Sequence, residues 1–454
     1  KITIINSSKI NYLTINYSDV PDASEIDFAL TFQTGPTSGQ DVLFWKTKSV
    51  GTTTSTSVAQ VDVAVGDNTY TQSQGSNQDV ELVVSVQASA TNVGQAGSYS
   101  NSGHQYLISA AASNDASDTT WGLKGVTSMS NMFYVCNNAA FTTGIPAYVP
   151  SGIIRMEYMF YVSSNFNGDL SLWDTSGVTS MTGMFREAHA FNNNGQAGIG
   201  NWDTSSLEKA NDMFHSDAAN TGVFNQDISG WDMSSVTTMN SMFGYQNDFI
   251  QPIGFWNTSN VSNMTQMFLG GSSPTALVRN IQLWDVSNVT DFTSMFNGAS
   301  GFDAVFNGVT GYAATPTADF FSASFLLVTF TGVPANTTLS VPLANATAMN
   351  TTGEGLDAVI WRTPTTQTIS DFVTGQEFPT YTTPASPASS TVTAKIAVFE
   401  GYFQGMGIEG QTGTPTWESG NTYVTSVTAS TDTTATNWGC GTTDGTTPGL
   451  NNLG

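Results

Sequence analysis

The dipeptide Met-Phe recurs seven times in the middle of the chain, at Met132-Phe133, Met159-Phe160, Met184-Phe185, Met213-Phe214, Met242-Phe243, Met267-Phe268 and Met295-Phe296. The intervals are 27, 25, 29, 29, 25 and 28 residues. Self-similarity at such a period marks units that bury their apolar faces on copies of themselves. Eleven residues before each methionine stands an aromatic: Trp121, Tyr148, Trp173, Trp202, Trp231, Trp256 or Trp284. Six before stands Val126, Ile153, Val178, Leu207, Val236, Val261 or Val289, and three before stands Met129, Met156, Met181, Ala210, Met239, Met264 or Phe292. A twelve-residue block of constant length thus alternates with a connector that absorbs all variation, as a structural unit with a surface loop does.

Within a block, Val178, Met181, Met184 and Phe185 fall in an arc of roughly 120° at helical periodicity. The pattern predicts a short helix of two turns, with Ser176, Ser205, Ser234, Ser259 and Ser287 at its N-cap or in the turn leading into it. Asp174, Asp203, Asp232 and Asp285, directly after the tryptophan, suit Asx-turns. Upstream, Phe224–Trp231 and its counterpart from Phe166 read as a turn and a very short strand. Such a helix is unstable alone and needs burial by the next copy. The expected fold class is therefore an α+β repeat solenoid, a short strand plus a short helix in each of seven repeats, forming a rod of roughly 35 Å at strand spacing. The expected core is Trp173, Val178, Met181, Met184, Phe185, Trp202, Met213, Phe214, Trp231, Val236, Met239, Met242, Phe243, Trp256, Met267, Phe268, Trp284, Met295 and Phe296, with methionine as an adaptable filler. A methionine-rich metal or partner groove would need these side chains exposed.

Two segments carry a resemblance. Phe224–Phe243 and Leu283–Ala299 are similar to the repeat of BspA-like leucine-rich-repeat surface proteins, and the likeness runs from about Trp121 to Asp303. It implies display at a cell or virion surface and binding, without naming a ligand.

The flanks read as two all-β sandwich domains. In residues 1–105, Ile26–Phe32, Val42–Trp45, Val58–Val65 and Val80–Val86 have strand texture; in 305–437, Phe325–Phe330, Leu339–Leu343, Ala358–Trp361 and Thr391–Phe399 do. The expected organisation is a sandwich at 1–105, a linking segment at 106–120, the repeats at 121–304, a second sandwich at 305–437 and a Gly/Thr-rich tail at 438–454. The two flanks resemble each other: Tyr106 precedes Trp121 and Tyr423 precedes Trp438 by the same 15 residues. BspA-like proteins often carry sandwiches of polycystic-kidney-disease (PKD) type, and Lys395–Gly407 is similar to the last strands of one. That family's Trp-Gly-Asp-Gly turn is degraded to Val65–Asn68 and Ile360–Thr363.

Composition narrows the partners. Net charge is −24, with 35 acidic and 11 basic residues, which disfavours nucleic acid and anionic membranes. Charged residues are only 10% of the chain, favouring neutral, turn-rich β surfaces. No apolar run is long enough for membrane insertion. The chain starts at Lys1 without a signal peptide, which a processed or trimmed N-terminus would explain. Cys136 and Cys440 are no disulfide framework; they could pair together, pair between chains or stay reduced and buried.

Chemistry-bearing motifs are sparse. His104, His189 and His215 lack metal-ligand spacing, and the last two read as solvated residues in or near connectors. No nucleophile elbow, phosphate loop or dinucleotide fingerprint occurs. The repeated aspartates read as turn chemistry rather than as a catalytic pair, which is usually unique to one site. No cofactor is expected; the Asp/Asn-rich turns could offer calcium oxygen ligands, without an EF-hand. Nine Asn-x-Ser/Thr sequons occur, including Asn257, Asn260, Asn263 and Asn288. The expected function is a non-enzymatic extracellular adhesion or interaction scaffold, with proteins, glycans or copies of itself as partners. The alternative is a structural subunit of a virion, tail fibre or extracellular filament joined through its sandwich edges, for which Lys1–Tyr17 could serve as a donated strand. A glycan-active enzyme is the third reading.

Overall fold

A computed structural model describes residues 11–32, 42–50, 55–62, 66–85, 90–93, 104–112, 121, 123, 125–271, 281, 284–299, 326–340, 343–345, 358–363, 367–371, 380–397, 403–406 and 423–429. Two compact units emerge: Lys1–Gln226 with Ser235–Phe249, and Asp227–Ser234 with Ile250–Gly454. The described residues are mostly β and turn, with few helices.

The first unit opens with eight strands: β1 (Leu13–Val20), β2 (Glu25–Phe32), β3 (Val42–Ser49), β4 (Ser55–Asp62), β5 (Gly66–Thr71), β6 (Gln78–Ser85), β7 (Ala90–Val93) and β8 (Leu107–Ala112). They form an antiparallel sheet of order β4-β3-β6-β1-β8 and a smaller one of order β5-β2-β7. Side chains alternate across a strand, so one face of β1 carries Leu13, Ile15 and Tyr17 inward. Register places these opposite Val84, Leu82 and Val80 of β6, also buried. Trp45 of β3 stacks on Tyr70 of β5 at 5.2 Å and 19°, joining the two sheets.

The second unit repeats this design in β9 (Leu326–Pro334), β10 (Thr338–Ser340), β11 (Leu343–Asn345), β12 (Ala358–Arg362), β13 (Gln367–Asp371), β14 (Thr380–Thr382), β15 (Ser389–Ala397), β16 (Phe403–Met406) and β17 (Val424–Ala429). Its main sheet, β13-β12-β15-β9-β17, has the same strand order as the first. Phe330, Trp361 and Tyr381 reproduce Tyr17, Trp45 and Tyr70, with Trp361 stacked on Tyr381 at 5.8 Å and 19°. Left-handed corner residues also correspond: Ala23 and Asn336 have φ near 60° and 54°, and their amides donate to Gln72 and Thr383 carbonyls. The expected single strand Leu339–Leu343 is two, β10 paired with β14 and β11 with β16. The degraded turns are not turns either: Gly66–Asn68 lies in β5 and Ile360–Arg362 in β12.

The repeat blocks depart from the helical expectation. Each is a series of turns; single-residue parallel bridges, such as Ser128 to Arg155, Arg155 to Ser180, Ser180 to Lys209 and Lys209 to Thr238, fall inside the segment expected to be helical, while Phe224–Trp231, expected to hold a short strand, is turn and irregular backbone. The backbone shows why. Amides of Met156, Tyr158, Phe160 and Val162 donate to carbonyls of Ser180, Thr182, Met184 and Arg186 in the next repeat, at 2.8–3.0 Å. The intervening amides of Met159 and Tyr161 close local turns on Met156 and Tyr158. Alternate amides thus serve the neighbour, which a helix directing every amide inward could not do. The device is a left-handed residue before every Met-Phe pair: Asn131, Tyr158, Gly183, Asp212, Ser241, Gln266 and Ser294 all have φ of 54–63°. Three-residue turn spacing mimics helical spacing in the apolar pattern, so periodicity alone did not separate them.

Phenylalanines form a regular ladder. In the first unit Phe133, Phe160, Phe185, Phe214 and Phe243 are spaced 5.3–5.8 Å apart with planes within 17°. A second column, Phe141, Phe166, Phe191, Phe224 and Phe249, runs beside it at 5.3–6.1 Å. Cross-rungs are as close as 3.8 Å, for Phe185–Phe191 and Phe214–Phe224. In the second unit Phe268 stacks on Phe296, and Trp231, Trp256 and Trp284 form their own column.

Candidate functional site

The sequence-derived core residues face inward and offer no reactive surface. Trp173, Val178, Met181, Met184, Phe185, Trp202, Met213, Phe214, Val236, Met239, Met242 and Phe243 are buried in the first unit, and Trp231, Trp256, Met267, Phe268, Trp284, Met295 and Phe296 in the second. The indole N–H groups of Trp202, Trp256 and Trp284 donate to carbonyls of Leu170, Ile228 and Ile253, each three residues before the preceding repeat's tryptophan. Tyr148 does not share this column: it is 62% exposed, and its carbonyl accepts from the Trp121 indole.

The turn aspartates are committed locally. Asp174 and Asp203 each accept from the amide and hydroxyl of the serine two residues on; Asp232 and Asp285 accept from the corresponding amides. These are Asx-turns, and the serines are their partners rather than helix caps. Hydrogen bonding from Ser205 holds the exposed Asp203 carboxyl below its usual range. Of the sequon asparagines, Asn260 and Asn288 donate their side-chain N–H to carbonyls of Ser234 and Ser259 in the preceding repeat.

Side-chain variety is concentrated elsewhere, at positions flanking each Met-Phe pair. The residues just after the pair are Tyr134, Tyr161, Arg186, His215, Gly244, Leu269 and Asn297; those just before it are the left-handed residues. In the first unit these positions build a continuous polar and aromatic patch. Tyr158 meets Tyr161 edge to face at 6.0 Å and 89°, and Tyr134 lies 4.8 Å from Tyr161. The Arg186 guanidinium sits 5.9 Å over the Tyr161 ring. It donates to Asp212 at 3.1 Å and lies 3.6 Å from Glu187. Burial raises the Asp212 carboxyl pKa, with Arg186 opposing the shift. His215 is 5.9 Å from Tyr245; burial and then Arg186 lower its pKa to about 4, so it is neutral at pH 7. His189 bonds Ser216 at 2.7 Å and faces Asp217 at 3.7 Å. The expectation of solvated loop histidines is therefore corrected: both are partly buried, His189 against Ser216 and Asp217 and His215 against Tyr245. His215 occupies a fixed place in the block, directly after Phe214, and that offset was the signal available.

A second cluster lies where the first sheet domain meets the first repeat. His104 Nδ1 is 3.1 Å from the Tyr134 carbonyl and 3.8 Å from Cys136 Sγ. Cys136 is a free, buried thiol; Cys440 lies outside the described residues. Burial raises the thiol pKa and lowers the imidazole pKa, so both favour neutral forms. A nucleophilic thiolate–imidazolium pair needs the reverse. Among the described residues no three His, Cys, Asp or Glu side chains gather as metal ligands, and no helix is long and apolar enough to cross a membrane.

Residues 104–223 and 215–324 each match the model of a family described as Mycoplasma protein of unknown function, DUF285. The chain is similar to that family over the segment that holds the buried aromatic repeats. No curated protein and no solved structure matches the chain.

Proposed function

We propose that this chain is a non-enzymatic extracellular surface protein of BspA-like type. In this reading the repeats form a solenoid serving as spacer and binding face, between two PKD-like sandwich domains. The observation that carries it is the division of labour within each block. Inward positions repeat the same few apolar residues, whereas the positions flanking Met-Phe vary from Tyr161 to Arg186 to His215. A face that varies over an unvarying core is how stacked repeats present binding groups. The test is saturable binding of the full chain to cells and to immobilised glycans and matrix proteins, with native material imaged alongside. Monodisperse protein whose binding falls on substitution in the patch supports the proposal. Filaments formed without ligand would favour the structural-subunit alternative, and turnover of a glycan substrate would restore the enzyme reading.

A further inference from the structure

We infer that the patch on the second to fourth repeats takes a neutral saccharide, a hexose or N-acetylhexosamine unit of a glycan. The inference rests on the binding-face reading above and names the ligand class. Its platform is Tyr158. That residue is left-handed at φ 54°, and its ring lies against Gly183, where any Cβ would overlap it. Tyr161 closes the platform edge-on at 89°. A ring fixed in this way loses little freedom on binding, and its partly exposed face suits the C–H face of a pyranose.

Over the adjoining Tyr161 ring, at 5.9 Å, stands Arg186, paired with Asp212 at 3.1 Å and 3.6 Å from Glu187. The guanidinium is a planar fork of donors and the carboxylate a pair of acceptors. Vicinal hydroxyls, which both donate and accept, complement such a mixed, pre-oriented pair. Other classes fit worse. An anion meets Glu187, Asp212 and Asp217 within a chain of net charge −24. A cation finds the Tyr161 face, the natural seat for it, already covered by Arg186.

The experiment titrates the full chain by calorimetry and saturation-transfer NMR. The probes are methyl glycosides and disaccharides of the neutral hexoses and N-acetylhexosamines; sialyllactose, a heparin hexasaccharide and a lysine-rich peptide are the contrasting arms. A neutral probe is expected to bind with a dissociation constant of about 0.1–5 mM. Tyr158→Ala and Asp212→Asn should each weaken it at least about tenfold, Tyr158→Phe by less than about threefold, and Leu172→Ala not at all. Thermal melting of each variant separates lost binding from lost folding. Binding of an anionic, cationic or protein ligand that the same variants abolish, with every neutral probe silent, overturns the ligand class and leaves the binding face standing. Cell binding by the wild type that survives Tyr158→Ala and Asp212→Asn overturns both.

Discussion

Replacing Phe191 by alanine tests whether the second phenylalanine column holds the stack together. Its side chain is 1% exposed. The ring lies 3.8 Å from Phe185, 5.9 Å from Phe166 and 6.1 Å from Phe224, all within 5° of parallel. Removing a buried phenyl ring costs about 3–5 kcal/mol in transfer and cavity terms. Each aromatic pair adds about 0.5–1.5 kcal/mol beyond area, and three pairs are lost together, so the value belongs at the upper end, about 5 kcal/mol. Because neighbouring repeats carry each other's backbone bonds, the damage should be local before it is global. The assay is native-state hydrogen exchange of the full chain. Protection of the Phe185 and Phe214 amides, which donate to the next repeat, should fall by about three to four orders of magnitude, while β1 amides keep theirs. Phe191→Leu should cost about 1–2 kcal/mol, and Leu172→Ala, at a side chain 59% exposed, less than about 0.5 kcal/mol. A Phe191→Ala variant as protected as Leu172→Ala would refute the ladder as a source of stability.

Other outcomes follow from the same geometry. Gly183→Ala forces a Cβ into the Tyr158 ring at φ 60° and should destabilise by about 2–4 kcal/mol in chemical denaturation; a neutral substitution would show the ring is not seated there. Cys136 should resist maleimide under native conditions and react on unfolding, since burial raises its pKa and covers it; rapid native labelling would contradict this. His215 has a folded pKa of about 4 against an ordinary 6.5, so the unfolded chain binds its proton first. Its contribution is intact above about pH 6.5 and is lost as pH falls towards 4, with His104 shifted in the same direction. Melting temperature should drop across that window, and less steeply in His215→Gln; an unchanged slope would refute the assignment.

What the sequence disclosed depended on whether spacing was fixed. The Trp, Val, Met and Met-Phe positions keep constant offsets and were legible. The second column was not, because Phe141, Phe166, Phe191, Phe224 and Phe249 follow the Met-Phe phenylalanine by 8, 6, 6, 10 and 6 residues. Connectors absorb those differences between two fixed rungs. Counted back from the next repeat's Trp or Tyr148 position, the offsets are 7, 7, 11, 7 and 7, which reveals the column. The longer third connector holds the 3₁₀ turns Asn193–Gly195 and Ala197–Asn201. Strands showed through alternation, as in Leu13, Ile15 and Tyr17. Sheet order did not, because pairing such as β1 with both β6 and β8 depends on register between segments distant in sequence. The Arg186–Asp212 pair was hidden for a related reason: its members come from different repeats and meet only when the repeats stack.

Two sheets of identical strand order within one polypeptide pose a problem of self-recognition. A nascent β9 offers β6 nearly the same alternation as β1 does, so strand exchange between the copies is a route to misassembly. Divergent rungs, such as the hydroxyl of Tyr17 against the bare ring of Phe330, and synthesis of the repeats between the two copies both discriminate against it. Refolding the whole chain from denaturant should therefore recover less native protein than refolding at low temperature with the two sheet segments released in sequence.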